Sequence, residues 1–366
     1  MTQAALELVP AGTPNSQAVA VLEKPGDIQM RHALIPTPGP GQVRVKITYV
    51  GICGSDLEAY RGLRQPEFMS LPMRLGHEVA GVIDMLGAGT LGVAVGDKVT
   101  CRYVWGAFAE YIVCKPFNVK VLPPAFPMLE TSLVEILPGV IHAAELANIT
   151  PHSRVLITGQ GVSGLVITQV VALYSPAVLA VTDLKDANLA LAKKYGATHT
   201  YKLPSEHAAT MDTVRGDFPD GFDIVIPCLL DGDGMMDALD SLTISGKIVA
   251  YGCIGTCKNF DFFKFHRKRA TITATEPRRD VDMRKFFEDG VKMVTDGLVN
   301  TGEMVTHIYP LSMVNEAFAL RNSAAGHDAI HVLINCDRDA PQEIVRVTHD
   351  GSAPHGKAAP HDHSKC

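Results

Sequence analysis

Nowhere does the 366-residue chain offer the roughly 20 uninterrupted apolar residues that a membrane-spanning helix needs, so no membrane partner is expected. It also lacks a basic excess. Its 33 Lys and Arg stand against 39 Asp and Glu, a net charge of −6, and with no basic face implied no nucleic-acid partner is expected. The opening residues, MTQAALELVPAGTPNSQ, have neither the positive start nor the apolar stretch of a secretory signal. A cytoplasmic, reducing setting is the expectation. Cysteine is sparse for the length, with 8 residues at positions 53, 101, 114, 228, 253, 257, 336 and 366. That density does not describe a disulfide scaffold, which leaves thiols or metal ligands. The paired C-x-x-C knuckles of a structural zinc site are missing too, and the nearest pair, Cys253 and Cys257 around Gly255, has little metal-site character.

What the sequence does contain is enough apolar material, 46% against 20% charged, for more than one core. From about residue 17 to 150, short runs such as QAVAVL, QVRVKITYVGI and EVAGVIDML carry the β-branched enrichment of strands. Turn-forming stretches such as PTPGPGQ separate them, which suggests a barrel-like or sandwich-like β domain. The character changes near 150. RVLITG, VLAVTD, FDIVIPCLL and GKIVAYG are apolar strands alternating with helical stretches, the order of a parallel, doubly wound sheet covered on both faces. The fold class expected is therefore α/β. Residues 281–297 read as a further helix with Phe286, Phe287, Val291 and Met293 on one stripe, followed by a last β/helix segment. From 339 to 366 the chain is polar and His-rich and is expected to be a disordered tail, with His355, His361, His363 and Cys366 free to pick up metal adventitiously.

A dinucleotide fingerprint follows the first of the later strands: Gly159-Gln-Gly161-Val162-Ser163-Gly164. Alone, G-x-G-x-x-G is weak evidence. Here it leaves a strand, opens a helix, and precedes Asp183 at the end of the next strand, which is the context the motif requires. Gly159 allows the tight turn, Gly161 lets a pyrophosphate approach the backbone, and Gly164 lets helix and strand pack closely. The pyrophosphate then meets unsatisfied N–H groups, including those around Val162 and Ser163, at the positive end of the helix. Asp183 can accept bonds from both ribose hydroxyls of NAD and would repel the 2′-phosphate of NADP, although Lys185 lies near. The bland alternative is that Asp183 only caps the next helix.

A second constellation has zinc-ligand chemistry. Cys53 sits in GICGSD, His77 and Glu78 in GHE before the run VAGVI, and Glu135 inside the apolar LVEILPGVIHAAEL. Zinc takes thiolate, imidazole and carboxylate together, and a catalytic site keeps one position open. Cys53, His77 and either Glu78 or Glu135 make such a set, with Asp56 placed to accept from the imidazole and orient it. Singly, each residue is as easily a buried structural side chain.

In this order, GICGSD, GHEVAGVI, GDKV and GQGVSG with Asp183 resemble the medium-chain zinc alcohol dehydrogenases from about residue 17 to 337. Glu135 falls where the sorbitol and threonine dehydrogenase branch carries a glutamate. The resemblance implies a GroES-like catalytic domain over 17–148, completed by 299–338, and a Rossmann domain over 149–298. It implies one catalytic Zn2+ per subunit, NAD, a small alcohol or ketone substrate, and a homodimer or homotetramer. Ser55 matches the hydroxyl that receives the alcohol's proton. Two departures stand out. After GDKV, Cys101 runs straight into AFAEYIVC, so the four-cysteine lobe that binds a structural zinc in most relatives is deleted. Glu58 stands where many relatives have a proton-passing histidine, and it is a proton relay, a binding group for a polar substrate, or an ordinary exposed residue. Tyr60, Arg102, Trp105, Arg278 and Arg279 are candidates for lining the substrate pocket. The rival readings are a zinc-free quinone or enone reductase of the same fold and a non-catalytic NAD-binding protein.

Overall fold

A computed structural model describes residues 7–63, 70–203, 210–228, 233–251, 257, 259–275, 282–323 and 328–349. Arg278, Arg279, Cys253, His355, His361, His363 and Cys366 lie outside them.

The chain opens on an antiparallel ribbon, β1 (Ser16–Lys24) with β2 (Asp27–Leu34). Next come β3 (Val43–Gly51), helix α1 (Gly54–Tyr60), β4 (Glu78–Leu86), β5 (Lys98–Cys101), β6 (Tyr111–Cys114) and β7 (Val119–Val121). Along β3, Val43, Val45 and Ile47 are fully buried and the residues between them are not, the period-two pattern of a strand with one face on a core. The connection from β5 to β6 is short, residues 102–110, which agrees with the deletion read from the sequence.

Helices α2 (Met128–Thr131) and α3 (Leu137–Ala147) lead into the second half. There β8 (Arg154–Thr158), α4 (Val162–Ala172), β9 (Val178–Asp183), α5 (Asp186–Lys194), β10 (His199–Lys202), α6 (Thr210–Asp217), β11 (Phe222–Pro227), α7 (Asp233–Ser241), β12 (Leu242–Ala250), α8 (Phe262–Lys268) and β13 (Thr271–Ala274) alternate. The strands form a parallel six-stranded sheet in the order β10-β9-β8-β11-β12-β13. Strand order reverses between β8 and β11, and the crevice at the carboxyl ends of the strands there is the ligand site such a sheet offers. Helix α9 (Met283–Thr295) buries Phe286 and Phe287, with Val291 and Met293 against the same core, as the helical stripe predicts.

The chain then returns to the first half. β14 (Val305–Pro310), α10 (Val314–Asn322), β15 (His331–Asn335) and β16 (Val345–Arg346) follow, and β15 pairs with β3 to extend a mixed sheet ordered β16-β14-β15-β3-β4-β5-β7, with β6 also on β3. β16 corrects one expectation: residues 339–349 are not a free tail. β16 pairs antiparallel with β14, Val347 donates to the Thr306 carbonyl at 2.9 Å, and His349 Nε2 lies 2.8 Å from the Val305 carbonyl. Polar composition hid this because an edge strand exposes its side chains and is held through its backbone. Among the described residues no helix is long and apolar enough to cross a membrane.

Candidate active site

The site begins at the ends of β3 and β4, where two turns meet. Cys53 is the N-cap of α1, and its backbone N–H donates to Asp56 Oδ2 at 3.1 Å. The same carboxylate accepts from the Gly76 N–H at 3.0 Å through Oδ1, which also lies 3.6 Å from His77 Nδ1. One fully buried aspartate thus ties together the turns that carry Cys53 and His77. With Nδ1 turned to Asp56, Nε2 of His77 points away, 3.4 Å from the Ser55 hydroxyl. Trp105 packs against the imidazole with ring centroids 4.3 Å apart.

Glu78 is the first residue of β4 and pairs with Gly51 across the ladder. Only glycine fits at position 51, since a Cβ there would collide with Glu78 Oε2 and with the ring of His331. Potential ligand atoms of Cys53, His77 and Glu78 all lie within 4.8 Å of one another. Thiolate, imidazole and carboxylate make a donor set that zinc accepts, and among the described residues no other group of this kind occurs. Burial pushes the Cys53 thiol up, with Glu78 adding to it, and lifts the Glu78 carboxyl to about 7. At His77 burial opposes charging, but Asp56 and Cys53 outweigh it and raise the imidazole well above its ordinary value. Buried potential ligands with displaced pKa values are what a cation would relieve.

Glu135 falls outside this group. It sits in a short 3-10 turn before α3, where Arg102 Nη1 donates to its carboxylate at 2.8 Å and to its backbone carbonyl at 2.6 Å. Both side chains are buried, so the pair is committed. Glu58 lies in α1 and is only 6% exposed, which removes the reading of it as an ordinary exposed residue.

Two further residues were not singled out by the sequence analysis. His331, the first residue of β15, is fully buried with its Nε2 3.6 Å from Glu78 Oε2, and burial together with Arg321 lowers its pKa to about 3. Arg321, near the end of α10, is desolvated but drawn by the charges of Glu78 and Cys53. A histidine inside the apolar run AIHVLINC was the only visible hint of the first.

The dinucleotide loop lies across a cavity of about 220 Å³ lined by Gly159, Gly161, Asp183, Lys185, Asn188 and Arg321, among others. Gly159 takes a left-handed conformation, and a Cβ on Gly164 would collide with the Gly159 carbonyl. Gly161 is the N-cap of α4 and has open space where a Cβ would stand. No side chain caps that helix, so the N–H groups of its first turn, at Val162 and Ser163, remain for an anion. Asp183 Oδ2 accepts from the Gln160 N–H at 2.7 Å, and Oδ1 from the Lys185 N–H at 2.8 Å and from Asn188 at 3.2 Å. The N-cap of α5 is Lys185, with Asp183 two residues ahead of it.

Residues 39–124 match the alcohol dehydrogenase GroES-like domain family, and residues 164–289 match the zinc-binding dehydrogenase family. A sorbitol dehydrogenase of Gallus gallus is 27% identical over 89% of this chain and 98% of its own. An alcohol dehydrogenase of Escherichia coli CFT073, solved with NADH, superposes with a TM-score of 0.75 at 22% identity, covering 88% of this chain and 99% of that one. A Sinorhizobium meliloti 1021 protein bound to NADP gives a TM-score of 0.74 at 22% identity, with 87% and 99% covered. The mixed sheet is thus a GroES-like domain and the parallel sheet a Rossmann-type domain. The chain belongs to the medium-chain zinc-type alcohol dehydrogenases, in their polyol dehydrogenase branch, and is an oxidoreductase of that type.

Proposed function

We propose that Cys53, His77 and Glu78 hold one catalytic zinc ion per chain, and that the protein moves hydride reversibly between a secondary alcohol or polyol and NAD. The observation that carries this is the mixed donor set within 4.8 Å. Glu78 is preferred to Glu135 as third ligand because Arg102 already engages Glu135. When bound, the zinc supplies a Lewis acid that lowers an alcohol's pKa, and NAD supplies the hydride acceptor. The chain's own residues do the rest. Asp56 orients the imidazole through Nδ1 and leaves Nε2 for the metal. The Ser55 hydroxyl, beside that nitrogen, takes the alcohol's proton, and Glu58, one turn further along α1, carries it onward.

NAD is proposed over NADP because the Asp183 carboxylate would face a 2′-phosphate as a like charge. Strand membership supports a catalytic unit of 17–148 with 299–338 and a dinucleotide unit of 149–298. Six described cysteines are all free, which suits a reducing, cytoplasmic setting. The assembly is proposed to be a homodimer or homotetramer.

Metal analysis of the purified protein should find close to one zinc per chain, and Cys53→Ala should abolish turnover on a polyol panel while keeping NADH binding. Negligible zinc in fully active protein would end the metal reading in favour of a zinc-free reductase.

A further inference from the structure

Resting on the reading of Glu78 as a zinc ligand, we propose that His331 is a positioning residue whose ring N–H holds the Glu78 carboxylate in the rotamer that meets Cys53 and His77. Three polar atoms lie together here without a hydrogen-bond partner: both ring nitrogens of His331 and Oε2 of Glu78. Unpaired polar atoms in so buried a place are rare and costly. His331 Nε2 and Glu78 Oε2 are 3.6 Å apart, just outside hydrogen-bonding range, so a slight closure pairs two of the three.

The backbone is arranged for this meeting. Gly51 pairs with Glu78 on one side of β3 and with Leu333 on the other, so β4 and β15 flank a residue without a side chain. Through that gap the His331 ring reaches Glu78, where any Cβ on residue 51 would separate them. An uncharged imidazole orients a carboxylate without neutralising it, so Glu78 keeps its charge for the cation. The Arg321 guanidinium feels the charges of both Glu78 and Cys53, so a cationic group backs the ligand side of this pair.

The test compares wild type, His331→Leu and His331→Gln for zinc affinity, by competition with a chromophoric chelator, and for the absorption of the cobalt-substituted site. His331→Leu should bind zinc about 10-fold or more weakly and shift the cobalt bands, and His331→Gln, whose amide can still donate, should recover much of both. Equal affinity and identical cobalt bands in a folded His331→Leu protein would overturn the proposal, as would a glutamine no better than leucine. Should His331→Leu fail to fold, His331→Asn decides: its amide stops short of Glu78, so cobalt bands like those of wild type overturn the proposal and shifted bands support it. Wild-type protein that takes up no metal would defeat the zinc reading itself, a result separable from equal binding by wild type and variant.

Discussion

Asp56 and Asp183 are both buried carboxylates that accept backbone N–H groups from two segments, and each stands at the centre of a proposed ligand site. At Asp183 the bonds fix the carboxylate beside the dinucleotide loop, so its charge cannot swing away from an incoming ribose. Asp183→Ser should therefore raise KM for NAD roughly 10-fold, as loss of one or two charged hydrogen bonds implies, and lower KM for NADP, with Lys185 then facing the 2′-phosphate. Steady-state kinetics with both cofactors check this, and an unchanged preference would show that Asp183 does not select. The sequence named Cys53, His77, Asp56 and Asp183 because each sits in a short motif whose chemistry is local. It left Glu78 and Glu135 as alternatives because the contact that favours Glu78 in the proposal, Arg102 to Glu135, joins residues 33 apart along the chain. His331 was out of reach for the same reason: its partner Glu78 is brought to it by strand order, which no local pattern encodes.

Elements were easier to read than contacts. The alternation of apolar strands with helices specified the parallel sheet, since a strand covered on both faces must be apolar throughout. The short strand β16 escaped because two exposed residues carry no periodicity. Edges raise a different question at β13, which ends the six-stranded sheet with one side unpaired among the described residues and its side chains largely exposed. In the neighbouring elements of the chain, Phe262 and Phe263 of α8 are 72% and 75% exposed, and Ile244 of β12 is 67% exposed. An open edge and exposed aromatic surface in the same half of the chain invite pairing with a second copy, which a two-fold axis would satisfy on both chains at once. Light scattering should give two or four times the chain mass, and Phe263→Glu should lower it. A wild-type monomer at micromolar concentration would refute the assembly.

At the scale of the whole molecule, the proposed metal site links stability to pH, and the sign follows from Glu78. Its carboxyl ordinarily titrates near 4.5, and in the metal-free fold burial lifts it to about 7. A group whose folded pKa is raised favours the fold while protonated, so its contribution is fully present below about 4.5 and is lost as pH rises through about 7. Chelator-treated protein should therefore lose stability on this account between those values, while the zinc-loaded protein, whose ligands must be deprotonated, should gain affinity over the same interval. The two trends oppose, so the gap in Tm between loaded and stripped protein should widen from pH 5 to pH 7. Glu78→Gln isolates the cause: with no carboxyl to titrate, the stripped variant should have a flatter Tm against pH than the stripped wild type. If both stripped proteins followed the same curve, Glu78 would not be the group that couples the site to the stability of the fold.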